Sequence, residues 1–314
     1  MKNVYDGIIG VAIGDALGVP VEFQSRQELA QNPVVSMRAY GTHQQAVGTW
    51  SDDTSLTLAL MASIVEKQSP DYADMMDKFT DWLMYQDYTA SGEVFDVGTS
   101  TSRAIMNYGR GINPLECGGI TEYENGNGSL MRILPLAYYL EKQNGITLES
   151  QMEMVHNVSS LTHRHPVSLV GCGIYIKIAM LLLTTNNSLP ICIEQGIKEA
   201  FIYYDSLDCQ ATQNYGRLRD VQHFSELPET EIKSSGYIVD TLEAALWCLL
   251  NSDSYKECLL KAVNLGDDTD TVGAVAGGLA GIYYGADTIP DEWMTVLVNR
   301  KMIEELCEKF QKVI

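Results

Sequence analysis

Positive charge is scarce in this sequence of 314 residues. It has 21 Lys and Arg against 41 Asp and Glu, which gives a formal net charge of −20 at pH 7. A protein that binds nucleic-acid phosphates or an anionic membrane surface needs the opposite balance. We therefore expect neither partner. An anionic substrate would need local help from a bound cation, a few arginines or the backbone amides of a glycine-rich loop.

Paired cysteines and signals for export or membrane insertion are also lacking. The seven cysteines form no CxxC pair, and their odd, scattered number indicates reduced thiols that are mostly buried. Asp6 and Asp15 interrupt the apolar N-terminal stretch, so we expect no signal peptide. The longest apolar run, residues 167–183, carries Lys177 and is expected to be too short to span a membrane. These absences predict a cytoplasmic protein.

Strand-like alternation is rare, whereas helical periodicity recurs along the chain. No linker rich in Pro, Ser or Gly divides the sequence, and no repeat of fixed period occurs. We predict one all-α domain over residues 1–314, a compact orthogonal multi-helix bundle. Residues 205–235 are expected to form a long loop, and the Gly/Ala-rich residues 272–285 a closely packed central helix. Helices are predicted over residues 56–65, 72–84, 99–106, 131–140, 148–158, 167–183, 191–203, 237–250, 255–263, 271–284 and 293–310.

Acid and hydroxyl side chains crowd the start of two predicted helices that are far apart in the chain. They are Ser51, Asp52 and Asp53 in "GTWSDDTSL" (48–56), and Asp267, Asp268, Asp270 and Thr271 in "NLGDDTDTVG" (264–273). A helix N-terminus uses one or two such oxygens as caps, which is the ordinary explanation for a single cluster. Two clusters supply more carboxylates than capping uses. The remaining carboxylates repel one another, so capping alone does not explain them.

A metal site explains the two clusters better than capping does. If the two helix starts face each other, five or six oxygen ligands converge without any His or Cys, and this is the donor set of a hard divalent cation. Mg²⁺ or Mn²⁺ is the expected occupant. The number of carboxylates suits two ions that share one bridging acid.

Other features carry weaker signals on their own. The glycine-rich turn in residues 125–136 can expose amides to a phosphate, although such loops are more often plain turns, and Arg132 there is equally well explained by a surface ion pair. His163 suits hydrogen bonding to a substrate about as well as a structural role. Glu22 and Asp96, taken singly, are most simply caps or solvated acids. They become candidate site residues only because the two acidic clusters occur in the same sequence.

Taken together, these pieces resemble the ADP-ribosylglycohydrolase family, which includes the dinitrogenase reductase-activating glycohydrolases and the ADP-ribosyl-acceptor hydrolases. Seven motifs in family order carry the resemblance and cover nearly the whole chain. They are "GIIGVAIGDALGVPVEF" (7–23), "GTWSDDTSLTLAL" (48–60), "FDVGTSTSRAI" (95–105), "GNGSLMRILPL" (126–136), "LTHRHP" (161–166), "SGYIVDTLEAALW" (235–247) and "NLGDDTDTVGAVAGGLAGIYYG" (264–285).

The resemblance implies an all-α hydrolase with a binuclear Mg²⁺ or Mn²⁺ centre. Its substrate is then an ADP-ribosylated protein or another ADP-ribose conjugate, cleaved at C1″ of the ribose, with arginine as the favoured acceptor. The implied metal ligands are Ser51, Asp52, Asp53, Asp268, Asp270 and Thr271, with Asp270 as the bridge. The implied ADP-ribose contacts are Gly126, Asn127, Gly128, Ser129, His163 and Tyr237. The implied catalytic acids are Asp53, which would orient or deprotonate the attacking water, and Asp96 and Glu22, near the scissile ribose.

Asp267 departs from the family pattern, because a small residue, usually Gly, is more common at that position. The Asp267 side chain either is solvated and has no role in the site, or it alters the metal preference.

Three alternatives stay open at this point. The chain could be a dimetal hydrolase of a different bond, such as a phosphoester. It could cleave serine-linked or small-molecule ADP-ribose conjugates. It could also be a non-catalytic ADP-ribose-binding or structural relative, although both intact acidic clusters count against that.

Overall fold

The structure, a computed structural model, describes residues 3–143 and 145–314. Fifteen α-helices and seven 3-10 segments follow one another along these residues. The α-helices are α1 (Val4–Gly18), α2 (Arg26–Gln31), α3 (Asp52–Lys67), α4 (Tyr72–Tyr85), α5 (Thr99–Gly109), α6 (Pro135–Lys142), α7 (Leu148–Ser160), α8 (Pro166–Thr184), α9 (Leu189–Ser206), α10 (Val221–Ser225), α11 (Ile238–Leu250), α12 (Tyr255–Asn264), α13 (Thr269–Tyr284), α14 (Asp291–Val296) and α15 (Arg300–Val313).

The predicted all-α class is confirmed, since the described residues contain no β-strand. Three isolated β-bridges are present, Tyr40 with Gln45, Gly119 with His163, and Gly126 with Tyr237. The single-domain prediction over residues 1–314 includes Met1, Lys2 and Asn144, which lie outside the described residues, and it stays a prediction.

Helix α13 is almost wholly buried and packs along α1 at backbone distance. A Cβ atom added to Gly14 would lie 2.0 Å from the carbonyl oxygen of Gly273, closer than real Cβ contacts come. Only glycine allows this approach, and the predicted central helix in residues 272–285 is confirmed. The approach also fixes the beginning of α13 beside the end of α1, where the Thr269 hydroxyl donates to the Gly18 carbonyl at 2.8 Å.

Several predicted helix boundaries were wrong. Helix α1 is missing from the prediction because it is apolar on all sides and so shows no amphipathic stripe. The helix predicted over residues 131–140 begins only at Pro135, whose ring suits the first helical position. The helix predicted over residues 293–310 is interrupted between α14 and α15, where Asn299 has a left-handed φ of 52°. The predicted loop over residues 205–235 contains α10 and two 3-10 segments.

Two segments, Val4–Val21 and Pro166–Thr184, are long and apolar enough to cross a membrane by length and composition alone. The expectation that residues 167–183 are too short was therefore wrong. However, 89% and 67% of these two segments are buried inside the protein. Burial of this kind is typical of core helices in a soluble protein, which explains the apolar sequence without a membrane.

Candidate active site

A cavity of about 270 Å³ opens where α3 and α13 begin. Four acids, Glu22, Asp52, Asp96 and Asp268, contribute to its lining. The structure thus brings the two acidic helix starts, distant in sequence, to one place.

Helix α3 is held in this position by an acid from another helix. Asp15, on α1, accepts hydrogen bonds from the backbone N–H of Ser51 at 2.8 Å, the backbone N–H of Thr54 at 3.0 Å and the Thr54 hydroxyl at 2.6 Å. Asp15 thereby supplies the N-terminal capping that α3 does not receive from its own N-cap side chain. This role of Asp15 could not be predicted from sequence, because it depends on a contact between segments far apart in the chain.

The two acidic clusters are connected through Asp53. Its Oδ2 atom accepts from the Ser51 hydroxyl at 3.2 Å and, at 3.4 Å, from the hydroxyl of Thr271 on α13. In the second cluster, Asp268 Oδ2 accepts from the Asn127 side chain at 2.8 Å. Hydroxyl, amide and carboxylate groups from three separate segments therefore meet in one buried network.

Buried negative charge dominates the electrostatics of this network. Burial, followed by repulsion from Asp15 and Asp52, raises the pKa of Asp53. Burial, followed by repulsion from Glu22, raises the pKa of Asp270. One oxygen of each, Asp53 Oδ1 and Asp270 Oδ2, is buried and has no hydrogen-bond partner among the described residues. Such a group of carboxylates requires protons or cations to neutralise it.

Two sets of acids are close enough to hold a cation. Asp15, Asp53 and Asp270 form one set and Glu22, Asp268 and Asp270 the other, with candidate ligand oxygens within 4.8 Å of one another in each. Asp270 belongs to both sets, as a bridging ligand would. The donor atoms are all oxygen, which suits a hard divalent cation. Asp15 and Glu22 belong to these sets by position, although the sequence did not predict either as a ligand.

A second group of titratable side chains lies beside these two sets of acids. The ligand atoms of Glu22, His43 and Asp96 lie within 4.8 Å of one another, and His43 Nε2 is hydrogen-bonded to the Glu22 carboxylate. Burial, followed by repulsion from Asp96, raises the pKa of Glu22 to about 10. Sequence reasoning missed His43, since a single histidine in a polar loop carries no signal of its own.

The glycine-rich turn forms another part of the cavity wall, with Gly126, Asn127 and Gly128 all in the lining. The backbone N–H of Asn127 donates to the Gly236 carbonyl at 3.1 Å, which fixes the turn against the start of α11. A Cβ atom on Gly128 would lie 2.7 Å from Cε1 of His163, itself a lining residue. The absence of a side chain at Gly128 lets the imidazole and the turn backbone share the wall.

Two predicted ADP-ribose contacts, Ser129 and Tyr237, are absent from the cavity lining. Ser129 is fully buried, and its hydroxyl accepts from that of Ser159 at 2.9 Å. The Tyr237 hydroxyl donates to the Asn214 side chain at 3.2 Å, while its backbone is bridged to Gly126. Ser129 is therefore buried away from the cavity, whereas Tyr237 is joined to the turn through its backbone.

Arg132 is not on the surface, so the alternative of a surface ion pair was wrong. Its side chain is fully buried, bonds to the carbonyls of Gly128 and Val158, and lies with Cζ 5.0 Å from the centroid of the Phe79 ring. Burial lowers its pKa to about 10. Arg132 thus places a positive charge beneath the glycine-rich turn without facing the cavity.

His163 should make stability depend on pH. Burial, reinforced by the charge of Arg132, lowers its pKa to about 3, so the folded protein holds a neutral imidazole where the unfolded chain protonates near pH 6.5. Its contribution to stability is complete above pH 6.5 and decreases as pH falls. In metal-free protein, we expect this residue to cost up to about 2 kcal/mol of unfolding free energy between pH 7 and pH 5. Denaturant titrations of the parent and His163→Gln at both pH values test this, and equal losses in the two proteins would contradict it.

Asp267 has a backbone conformation that favours glycine. Its φ is 60°, in the left-handed region that favours glycine. Its N–H donates to the Gln24 carbonyl at 2.8 Å, and its own carbonyl accepts from the N–H of Phe23 at 2.7 Å. The side chain itself is exposed.

We predict that Asp267→Gly is nearly neutral, because glycine adopts the same backbone conformation and keeps both backbone hydrogen bonds. The unfolding free energy should change by less than about 1 kcal/mol, and kcat/KM by less than about twofold. Parallel assays in Mg²⁺ and Mn²⁺ test this. A changed preference between the two ions would instead assign the Asp267 carboxylate a part in metal selection.

The chain is similar to known proteins over nearly its whole length. A family model described as ADP-ribosylglycohydrolase matches residues 1–314. An ADP-ribosylarginine hydrolase of Serratia proteamaculans is 31% identical over 303 residues, covering 96% of this chain and 77% of the relative. ADP-ribosyl-dinitrogen reductase glycohydrolase of Rhodospirillum rubrum is 32% identical, covering 92% and 88%. A solved structure described as an ADP-ribosylglycohydrolase-related protein complex is similar at a TM-score of 0.75 and 30% identity, covering 99% of this chain and 97% of that one.

The helical fold, the acidic cavity and these relatives define a hydrolase of glycosidic bonds, and the predicted enzyme class is confirmed. The chain belongs to the ADP-ribosylglycohydrolase family.

Proposed function

We propose that this protein hydrolyses the C1″ glycosidic bond between ADP-ribose and a protein arginine, with two divalent cations, Mg²⁺ or Mn²⁺, in the acidic cavity. The observation that carries the proposal is the proximity of Asp53 and Asp270, each with a buried oxygen that has no hydrogen-bond partner in the part of the chain that the structure describes. Arginine is the proposed acceptor because a relative at 31% identity is an ADP-ribosylarginine hydrolase.

The proposed ligands come from the starts of the two helices and are Ser51, Asp52, Asp53, Asp268, Asp270 and Thr271. Bound cations would neutralise these carboxylates and supply Lewis acidity for the hydrolysis. Asp53 is the proposed group that orients or deprotonates the attacking water. Glu22 and Asp96, which line the cavity and lie near His43, are the acids proposed to serve the leaving group or the ring oxygen.

The glycine-rich turn is the proposed site for the diphosphate or the distal ribose. Gly126, Asn127 and Gly128 line the cavity, and an uncharged His163 can exchange a hydrogen bond with the ligand through Nε2. Ser129 and Tyr237 act indirectly in this proposal, by supporting the turn. With cations and backbone dipoles as the positive partners, a protein of net charge −20 can hold an anionic nucleotide.

The proposed location is the cytoplasm. All seven cysteines are free, and six of them are buried. Reduced thiols in this number are typical of proteins in a reducing compartment. The proposed partner is an ADP-ribosylated protein, and the net negative charge disfavours nucleic acid and anionic membranes.

A hydrolysis panel tests the proposal. Arginine-, serine- and phosphate-linked ADP-ribose substrates are incubated with the protein in Mg²⁺, Mn²⁺, Ca²⁺ or a chelator, and the products are separated. We expect free ADP-ribose from the arginine substrate in Mg²⁺ or Mn²⁺, and none in the chelator. Release of AMP or inorganic phosphate would contradict the reaction, faster turnover of the serine substrate would contradict the acceptor, and binding without turnover would indicate a non-catalytic relative.

A further inference from the structure

An exposed aromatic ring forms part of the cavity next to the proposed catalytic acids. Phe23 follows Glu22 in the chain, lines the cavity and is 68% exposed. Its ring centroid lies 6.0 Å from that of His43, which in turn lies 5.2 Å from that of Phe95. These three residues are called the aromatic wall. None of them has a role in the proposed hydrolysis.

The aromatic wall is fixed by its backbone. Phe23 has a φ of 64°, which is unusual for a bulky residue, and its N–H donates to the Asp267 carbonyl at 2.7 Å. The Thr42 hydroxyl donates at 2.6 Å to the Glu22 carbonyl, which ties the loop carrying His43 to the segment carrying Phe23. An exposed apolar side chain gains little from being held in a strained conformation, so this cost points to a role in ligand binding.

Two carboxyl side chains adjoin the aromatic wall. The His43 ring is hydrogen-bonded to Glu22, and Asp96, the residue after Phe95, lines the same cavity. Asp96 also has a positive φ, 53°. Aromatic faces together with carboxylates are the surroundings that bind a planar cation, through cation–π contact and paired hydrogen bonds.

We propose that the aromatic wall is the subsite for the acceptor side chain, with the guanidinium of the modified arginine stacked on Phe23 and hydrogen-bonded to Asp96. This inference rests on the proposed cleavage of arginine-linked ADP-ribose, and it assigns the preference for that acceptor to particular residues. A serine acceptor has no planar cation, so it gains nothing from this wall.

The test is the substitution Phe23→Leu, which keeps an apolar side chain and removes the aromatic face. Tyr85→Leu is the matched control, because Tyr85 is 73% exposed at the end of α4 and does not line the cavity. The measurements are kcat and KM for an ADP-ribosylarginine peptide, and the affinity for free ADP-ribose in the same metal buffer.

We expect Phe23→Leu to lower kcat/KM for the arginine peptide about tenfold, mainly through KM, as loss of a cation–π contact predicts. The affinity of Phe23→Leu for free ADP-ribose should stay near that of the parent. Phe23→Tyr, which keeps an aromatic ring, should have the kcat/KM of the parent. Tyr85→Leu should change neither kcat/KM nor the affinity for ADP-ribose. Phe95→Leu should act in the same direction with a smaller effect, because Phe95 contacts His43 but does not line the cavity.

Two results overturn the inference while leaving the proposed function intact. One is an unchanged KM for the arginine peptide in Phe23→Leu, and the other is an equal loss of affinity for free ADP-ribose, which would place Phe23 in the nucleotide site. If the parent protein releases no ADP-ribose from the arginine peptide, the proposed function fails first and the inference fails with it.

Discussion

Asp270→Asn should abolish most of the hydrolytic activity, with kcat/KM falling about a thousandfold or more, because the substitution removes the one carboxylate shared by both candidate cation sets. The amide has the same shape as the carboxylate, so the packing at the start of α13 is retained. The measurement is release of ADP-ribose from an arginine-linked substrate at saturating Mg²⁺ or Mn²⁺.

A second readout separates metal binding from a general loss of structure. Burial and the neighbouring carboxylates raise the pKa of Asp270, so removing its charge should stabilise the metal-free protein. We therefore expect Asp270→Asn to melt at a higher temperature than the parent without metal, and to lose the rise in melting temperature that added metal gives the parent. Asp267→Asn is the control, since it makes the same charge change on an exposed side chain. Parent-like activity of Asp270→Asn would contradict a metal-dependent site.

Gly14→Ala should destabilise the fold more than any surface substitution. The new methyl group would lie 2.0 Å from the Gly273 carbonyl oxygen, and a backbone atom cannot move aside as a flexible side chain can. Helices α1 and α13 must separate, which strains a fully buried interface and shifts both Asp15 and the start of α13. We expect a loss of about 3 kcal/mol or more in unfolding free energy, measured by denaturant titration.

Gly109→Ala is the matched control for this prediction. Gly109 is the last residue of α5, and a Cβ atom there would have nothing within 4 Å. Alanine should leave stability unchanged or raise it by up to about 1 kcal/mol, since glycine is the poorer helix former. If Gly14→Ala were as stable as Gly109→Ala, the contact between α1 and α13 would not be as close as the structure has it.

The features predictable from sequence were those that repeat or follow a local rule. Acid and hydroxyl residues occur at two helix starts, and this repetition, rather than either copy, indicated that Asp53 and Asp270 would meet. Most helices were recognised because one face is apolar and the other polar. Helix α1 lacks that contrast, because it is surrounded by protein, so its sequence shows no stripe.

Long-range contacts explain what the sequence did not reveal. Asp15 caps α3 across 36 positions in the chain, and Glu22 approaches Asp270 only because α1 and α13 lie backbone to backbone. His43 matters because it contacts Glu22 and two aromatic rings. No spacing of residues near His43 in the sequence predicts these contacts. Arg132 looked like a surface residue because its partners are backbone carbonyls, which have no signature in a sequence.

Anomalous X-ray scattering from crystals of the protein soaked in saturating Mn²⁺ tests the central claim most directly. The acidic starts of α3 and α13 should hold the cations, so anomalous peaks are predicted among the carboxylates of Asp52, Asp53, Asp268 and Asp270. Clear density for these four side chains with no anomalous peak between them would contradict the proposed metal centre.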